Sequence, residues 1–400
     1  MTTQTKTNWQ KMRFKDFAHT SPSVKLEREK EYPFIPMDVV DGQRKFPVEI
    51  KRKKFSGGGA KFANGDTIFA RITPCLENGK IAMIKNLEEG VGFGSTEFFV
   101  FRGKDEVSNS DFVYYLSRTD TIRDPAIKSM VGASGRQRAD KSVVENLEVL
   151  VPSLSKQRDI SDVLSTYDNL IENNTRRIQI LEQTAQAVYA EWFVNFRFPG
   201  HEKIRMIDSQ TDFGEIPEGW AVKKLGDVVY NFDSKRRPIS KMKRAQMQGE
   251  IPYYGAAKII DYVNDVLLDG KYLLFAEDGS VITKEGFPVL QFVNEKFWVS
   301  NHAHVLQGKE ISTEYLYTAL SKFPIQGYIT GAAQPKITQE NLNRIPMLIP
   351  DADTRTQFDA FIEPLFQLQF SLNNTLGNLR KTRDLLLPKL VNGEIEVSPI

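Results

Sequence analysis

The sequence predicts an α+β fold of two tandem repeats. Each repeat is a mixed α/β domain followed by a long helix, and the two helices pack as an antiparallel coiled coil. Three observations predict it. Self-similar motifs recur in the same order at an offset that drifts only from 211 to about 200 residues. Two long stretches carry apolar residues at steps of three and four. Between them lie short strand-like runs punctuated by glycine and asparagine.

The repeat shows in seven matched pieces. Trp9 with Phe14-Lys15-Asp16 matches Trp220 with Leu225-Gly226-Asp227, and Gly65-Asp66-Thr67-Ile68-Phe69-Ala70 resembles the run from Gly270 to Ala276. The run from Phe98 to Lys104 aligns with Ala303 to Lys309, and Phe112-Val113-Tyr114 with Tyr315-Leu316-Tyr317. Gly132-Ala133-Ser134 matches Gly331-Ala332-Ala333, Leu150-Val151-Pro152 matches Leu348-Ile349-Pro350, and Asn173-Asn174 matches Asn373-Asn374. The expected boundaries are 1–152 for the first domain, 153–199 for the first helix, 200–350 for the second domain and 351–400 for the second helix.

In the first helix the apolar stripe runs through Ile160, Val163, Leu164, Tyr167, Leu170, Ile171, Ile178, Leu181, Ala185, Val188 and Trp192. Ser155 is the expected N-cap and Pro199-Gly200 the expected stop. The second stripe runs from Phe358 through Ile362, Leu365, Leu372, Leu376 and Leu386 to Leu390, then Gly393. Pro364 is expected to kink that helix or mark its start. A helix of about 39 residues is ~58 Å long, too long for the interior of a small domain, so the two stripes should cover each other. Asn173-Asn174 and Asn373-Asn374 fall mid-stripe, and solvent exposure is expected for them. The runs Ile81–Ile84, Phe98–Phe101 and Tyr272–Phe275 read as strands, and short helices are expected near Phe112–Leu116 and Tyr315–Leu320.

Composition narrows the class. The chain has 400 residues, 40% hydrophobic and 26% charged, which suits several soluble domains. The one cysteine, Cys75, forbids an intrachain disulfide, and the first residues contain no apolar leader, so a reducing, cytoplasmic setting without membrane contact is expected. Net charge is only +2, with the positive excess in residues 1–150. A protein that gripped DNA alone would usually be more basic.

The motifs also carry a family resemblance. Pro217-Glu218-Gly219-Trp220 with Leu225-Gly226-Asp227 resembles the opening of a target-recognition domain in specificity subunits of type I restriction–modification enzymes. The passage Val151-Pro152-Ser153-Leu154-Ser155-Lys156-Gln157-Arg158 resembles that family's entry into a spacer helix. Ala187 to Phe196 resembles the end of the first spacer, and Arg383 to Leu390 with Gly393-Glu394-Ile395 the end of the second. The first repeat departs by opening on Trp9 without Pro-x-Gly. The resemblance implies that each domain reads one half of a split, asymmetric double-stranded DNA sequence. It implies helices that space the domains and dock two methyltransferase subunits, joined by motor-nuclease restriction subunits. S-adenosylmethionine, ATP and Mg would sit on those partners, with no cofactor and no catalytic site on this chain.

Candidate DNA-binding residues follow from residue type. Ser134, Arg136, Gln137 and Arg138 lie in a glycine-rich basic loop, with Gln334 and Lys336 in its counterpart. Arginine bonds guanine in a bidentate fashion and glutamine bonds adenine, while a glycine-rich backbone approaches phosphate closely. Lys51, Arg52, Lys53 and Lys54 form a basic run, as do Lys235, Arg236 and Arg237, and Lys241, Lys243 and Arg244; such runs track a phosphate backbone or are simply solvated. Arg71, Lys80 and Lys258 are further candidates. His302 and His304 alternate on an expected strand and lack ligand partners at metal spacing, so no metal site is expected. Two rival classes remain open. Asp38 with Glu49 and Lys51 has the spacing of a nuclease triad but no echo in the second repeat. A scaffold pairing two non-DNA partners through its helices is the other.

Overall fold

The computed structural model describes residues 9–133, 135–331 and 334–397. The chain divides into two units, Met1–Arg176 with Asn373–Ile400, and Arg177–Leu372. Both divisions fall inside the long helices, Leu154–Tyr189 and Ala352–Val391, so each unit holds one domain and a segment of both helices. Among the described residues no helix is long and apolar enough to cross a membrane.

The first unit has two four-stranded sheets. One orders Ala18–His19, Phe98–Gly103, Thr67–Ala70 and Ile81–Met83; the other orders Lys51–Lys54, Glu31–Ile35, Val91–Gly94 and Ala60–Ala63. Strand Phe98–Gly103 lies inside its sheet with its first four residues buried, which is why it reads as a continuous apolar run rather than an alternating one. Helix Ser110–Arg118 starts where Asn109 accepts a hydrogen bond from Phe112 N, and it buries Phe112, Tyr115 and Leu116. Strand Gln10–Arg13 pairs with Glu148–Val151, bringing the beginning and end of the domain together.

The second unit repeats this plan with one continuous sheet in place of two, and adds the hairpin of Met206–Asp208 with Glu215–Pro217. Its six-stranded sheet orders Val229–Asn231, Ala303–Gly308, Leu268–Ala276, Leu290–Val299, Gln248–Tyr254 and Ile259–Val263. The long hairpin of Leu268–Ala276 with Leu290–Val299 does the work of two short pairings in the first unit. There the turn at Asn64-Gly65 interrupts the hairpin, with Gly65 at φ +89° and the Asp66 carboxylate accepting from Ala63 N at 2.7 Å. Each unit sets one parallel pairing among antiparallel ones, Phe34 against Phe93 and Tyr253 against Trp298. Helix Thr313–Leu320, capped by Ser312, matches Ser110–Arg118, and Ala221–Lys224 pairs with Pro346–Ile349 as the terminal strands do in the first unit.

The long helices depart from expectation in four places. The first helix begins at Leu154, with Ser153 rather than Ser155 at the cap, because the Ser153 carbonyl already accepts Gln157 N at 2.9 Å. The helix leaves α geometry at Tyr189 for a π-turn over Ala190–Val194, well before Pro199-Gly200. Pro364 does not mark a start: the second helix runs through it from Ala352, where the Asp351 carboxylate caps the backbone N–H groups of Asp353 and Thr354. Pro364 and Ala360, whose carbonyl loses its partner, are both exposed, so water reaches that carbonyl. Asn173, Asn373 and Asn374 are exposed as expected, but Asn174 is buried.

Within each unit the two helix segments run antiparallel. In the first, Ile160 and Leu164 share a core with Leu387 and Leu390, and Asp168 meets Arg383. In the second, Tyr189 and Trp192 pack on Phe358, while Glu182 accepts from Tyr317, whose ring packs on Phe366. Arg383 is almost wholly buried. Its Nη1 donates to Asp168 Oδ1 at 2.8 Å and to Gln43 O at 3.0 Å, while Asp168 Oδ2 accepts from Tyr115 Oη at 2.7 Å. Lys45 extends the chain of contacts to Asp111, Ser165 and Tyr115. Burial pushes the Tyr115 hydroxyl far above its ordinary range, and the neighbouring Asp168 charge adds to it, so it stays a donor. Arg383 also pairs with Asp384 at 2.9 Å, so Asp168→Ala, which removes its buried partner, is expected to destabilise the first unit by up to about 3 kcal/mol. The double replacement Asp168→Leu with Arg383→Met should cost less than the single one, as read from thermal unfolding midpoints.

Candidate nucleic-acid interface

The glycine-rich loop of each repeat is a short stem with an open tip. In the first unit Val131 and Arg138 exchange backbone hydrogen bonds at 3.1 and 3.0 Å, and Gly132 and Gly135 take φ of +134° and +76°, a region that favours glycine. Arg136 at the tip is exposed and its side chain has no ion pair among the described residues. Ser134 lies outside the described residues. The Gln137 carbonyl accepts from Thr73 N and Oγ1, which anchors the loop by backbone, not by the glutamine amide.

Arg138, at the stem, is held from below by Glu97. Nε donates to Oε2 at 2.9 Å and Nη2 to Oε1 at 2.7 Å, a bidentate pair. Arg71 adds a third bond, Nε to Oε2 at 3.2 Å, and its guanidinium lies 5.6 Å over the Phe99 ring. The hydrogen bond from Arg138 holds the Glu97 carboxyl below its usual range against the opposing effect of burial. Glu97 is 19% exposed and Arg138 46%, so the acid is sheltered while the cation stays open to water on its outer side.

The second unit builds the same arrangement from other residues. Thr330 and Lys336 exchange backbone hydrogen bonds at 2.8 Å, so Lys336 is the structural counterpart of Arg138, not of Arg136. Gly331 has φ +85°, and Gln334 is exposed at the tip. Lys336 Nζ meets Glu277 Oε1 at 3.0 Å, and Arg236 Nη1 meets Oε2 of the same carboxylate at 2.5 Å. Behind them His304 is gripped at both ring nitrogens, by Asp233 Oδ2 at 2.6 Å and Ile337 O at 2.9 Å. Burial opposes ionisation of Asp233 and Glu277, yet His304 keeps the first below its ordinary range and Arg236 with Lys336 the second.

The two histidines, alternating in sequence, end in different surroundings. His302 precedes strand Ala303–Gly308, is half exposed and pairs with Asp278, whereas His304 is fully inside. The acids that sequence spacing missed arrive from other elements: Asp233, Glu277 and His304 offer ligand atoms within 4.8 Å of one another. Arg236 and Lys336 already sit on those carboxylates, so the group is balanced in charge without an ion. Among the described residues this is the one grouping with metal-ligand geometry, and it includes neither Asp38 nor Glu49.

The other candidates sort into tethered and open cations. Lys51 to Lys54 form an edge strand; Lys51 reaches Asp38, Arg52 bridges to Glu88 and Glu89, and Lys54 reaches Glu29, all at exposed positions where a pair contributes little. Lys53 lies 4.8 Å over Phe34 instead. Lys80 is tied to the Met37 carbonyl at 2.8 Å. Arg244 is half-buried against Asp261, Ile239 O and the Tyr253 ring. Lys241 and Lys243 stand exposed on helix Lys241–Gln246, which Ser240 caps. Lys235 rests on Phe232, Arg237 is exposed with its carbonyl accepting from Trp298, and Lys258 is exposed before strand Ile259–Val263.

Comparison with known proteins agrees with this architecture. The family model described as "Type I restriction modification DNA specificity domain" matches twice, over residues 6–183 and 217–379. The chain is 27% identical over 308 residues to the MjaIX type I restriction enzyme specificity subunit of Methanocaldococcus jannaschii, covering 73% of this chain and 70% of that one. It is 24% identical to the HindI specificity subunit of Haemophilus influenzae, covering 87% and 90%. Its fold resembles the crystal structure of a type I restriction–modification S subunit from M. genitalium, with TM-score 0.58, 15% identity and coverage of 98% and 97%. Two matched domains, each ending in a long helix and each presenting a basic glycine-rich loop, place the chain in the type I restriction–modification DNA specificity family, as a specificity subunit with two recognition domains.

Proposed function

We propose that each domain reads one part of a two-part, asymmetric DNA target, and that the chain itself performs no chemistry. The observation that carries this reading is the recurrence of one loop design: an exposed tip residue after glycine, Arg136 after Gly132 and Gly135 or Gln334 after Gly331, beside a stem cation, Arg138 or Lys336. Tip side chains suit base edges, where arginine selects guanine and glutamine adenine. The open cations Lys53, Lys235, Arg237, Lys241, Lys243 and Lys258 suit phosphates, which set register and affinity without sequence information. The exposed pairs of Lys51, Arg52 and Lys54 can exchange their carboxylates for phosphates at small cost.

The near-neutral net charge of +2 leaves much of the DNA grip to partners. Two methyltransferase subunits, docked along the long helices, supply it, and motor-nuclease restriction subunits join them. S-adenosylmethionine, ATP and Mg act on those subunits. The setting is the cytoplasm, where DNA is the substrate. The helices set the gap between the two target parts, since each carries one segment in each unit.

Arg136→Ala is expected to weaken binding of target duplex by the assembled complex by about 1–3 kcal/mol and to relax one position of one target part. Lys241→Ala with Lys243→Ala should leave the recognised sequence unchanged and reduce the slope of log affinity against log salt by about 2. Equal effects of both variants on sequence preference would contradict the division into tips and phosphate contacts. Inserting four residues into both long helices, after Arg176 and after Leu372, adds ~6 Å to each. The unspecified gap should lengthen by about two base pairs at ~3.4 Å each, with both parts retained in the methylated sequence. An unchanged gap in an active complex would refute the spacer role.

A further inference from the structure

We propose that Glu97 and Glu277 are positioning residues for sequence reading: each carboxylate clamps the stem cation of its glycine-rich loop and so fixes the tip that meets the bases. The inference rests on the DNA-reading role proposed above and adds residues to it that sequence patterns do not reveal.

The two carboxylates reach the same place from different strand ends. Backbone pairing sets the correspondence: Arg71 N donates to Glu97 O, and Glu277 N donates to His302 O. Ala139 N donates to Arg71 O, and Ile337 N to Glu277 O. Glu277 is therefore the counterpart of Arg71, and His302 of Glu97. The acid has changed sides between the repeats, yet in both it sits under the stem cation and takes a second cation, Arg71 or Arg236. An incidental surface pair has no reason to be rebuilt from a different strand.

The clamp also has a physical use. Each tip follows glycine, Gly132 and Gly135 in the first loop and Gly331 in the second; such loops lose conformational freedom on binding, and ordering the stem beforehand reduces that loss. Glu97 is 19% and Glu277 13% exposed, while Arg138 and Lys336 are each 46% exposed: the acid is fixed in the protein and the cation it holds keeps an outer side in water. Both oxygens of each carboxylate already accept from basic side chains of the protein, so each acid is tied to its stem before DNA arrives. In the first repeat one acid between two arginines still leaves a positive centre facing DNA.

The test uses the full chain in its assembled methyltransferase complex, with duplex libraries in which one target part is randomised. Glu97→Gln should reduce discrimination at one target part about tenfold, within the range of a single mismatch. The other part should be read as in the wild type, and affinity for non-target duplex should not fall, since the change removes a negative charge. Arg138→Met should give the same loss, and the double variant should be no worse than either, because both remove one clamp. Glu277→Gln should show the mirror pattern on the other part. Wild-type discrimination in Glu97→Gln, additive losses in the double variant, or a loss spread over both parts would overturn the clamp. A wild-type complex without sequence preference would instead overturn the DNA-reading role, and the clamp with it.

Discussion

The antiparallel pairing of two long helices is the constraint on which the rest of the chain depends, and in the first unit a buried ion pair enforces it. Apolar stripes alone tolerate a slip of one helical repeat, since leucine against leucine looks much the same one heptad along. Arg383 and Asp168 do not tolerate it. A slip would part the two buried charges, leaving Arg383 with only the half-exposed Asp384 and Asp168 with only the Tyr115 hydroxyl, an unfavourable exchange in the interior. The pair is wired further into the domain through Tyr115 and Lys45, so helix register and domain position are set together. The second unit uses rings for the same purpose: Tyr189, Phe193, Tyr315 and Phe358 pack edge to face around the helix segments.

On that frame the repeats have diverged in chemistry while keeping geometry. A split pair of sheets in one unit is a single continuous sheet in the other, and the difference comes down to a turn at Gly65 where the second unit carries a strand through Gly270. At the loop stems, Arg71 stacked on Phe99 is replaced by a buried histidine, two acids and an arginine. Stem cation, carboxylate and exposed tip persist. Selection of different sequences by two similar domains needs such an arrangement, in which the scaffold is fixed and the tip residues vary.

Much of the fold was legible in the sequence because it rests on local or periodic signals. Apolar spacing marked both helices, continuous apolar runs marked the inner strands, and ordered motifs marked the repeat. The cap at Ser153 was missed because Ser153 and Ser155 are equally good in composition, and only the buried Gln157, bonded to Asn109 N and the Val107 and Pro152 carbonyls, decides between them. Pro364 does not mark the start of the second helix, because exposure on the outer side of the helix makes its lost hydrogen bond tolerable. At the site the glycine-rich loops were visible, but their clamps were not. Arg138 and Glu97 are 41 residues apart, and nothing local separates Glu97 from any other acid. The same holds for His304 and Asp233, 71 residues apart, whose contact turned two alternating histidines into one buried and one exposed.

The central claim is that two domains read two different parts of one DNA target. Sequencing that detects modified bases, in a host carrying the chain with its methyltransferase partners and in the same host without the chain, tests it most directly. The account predicts one chain-dependent modified sequence made of two unlike specified parts with an unspecified gap between them. A chain-dependent sequence that is uninterrupted, or no chain-dependent modification in a host where the complex assembles, would contradict it.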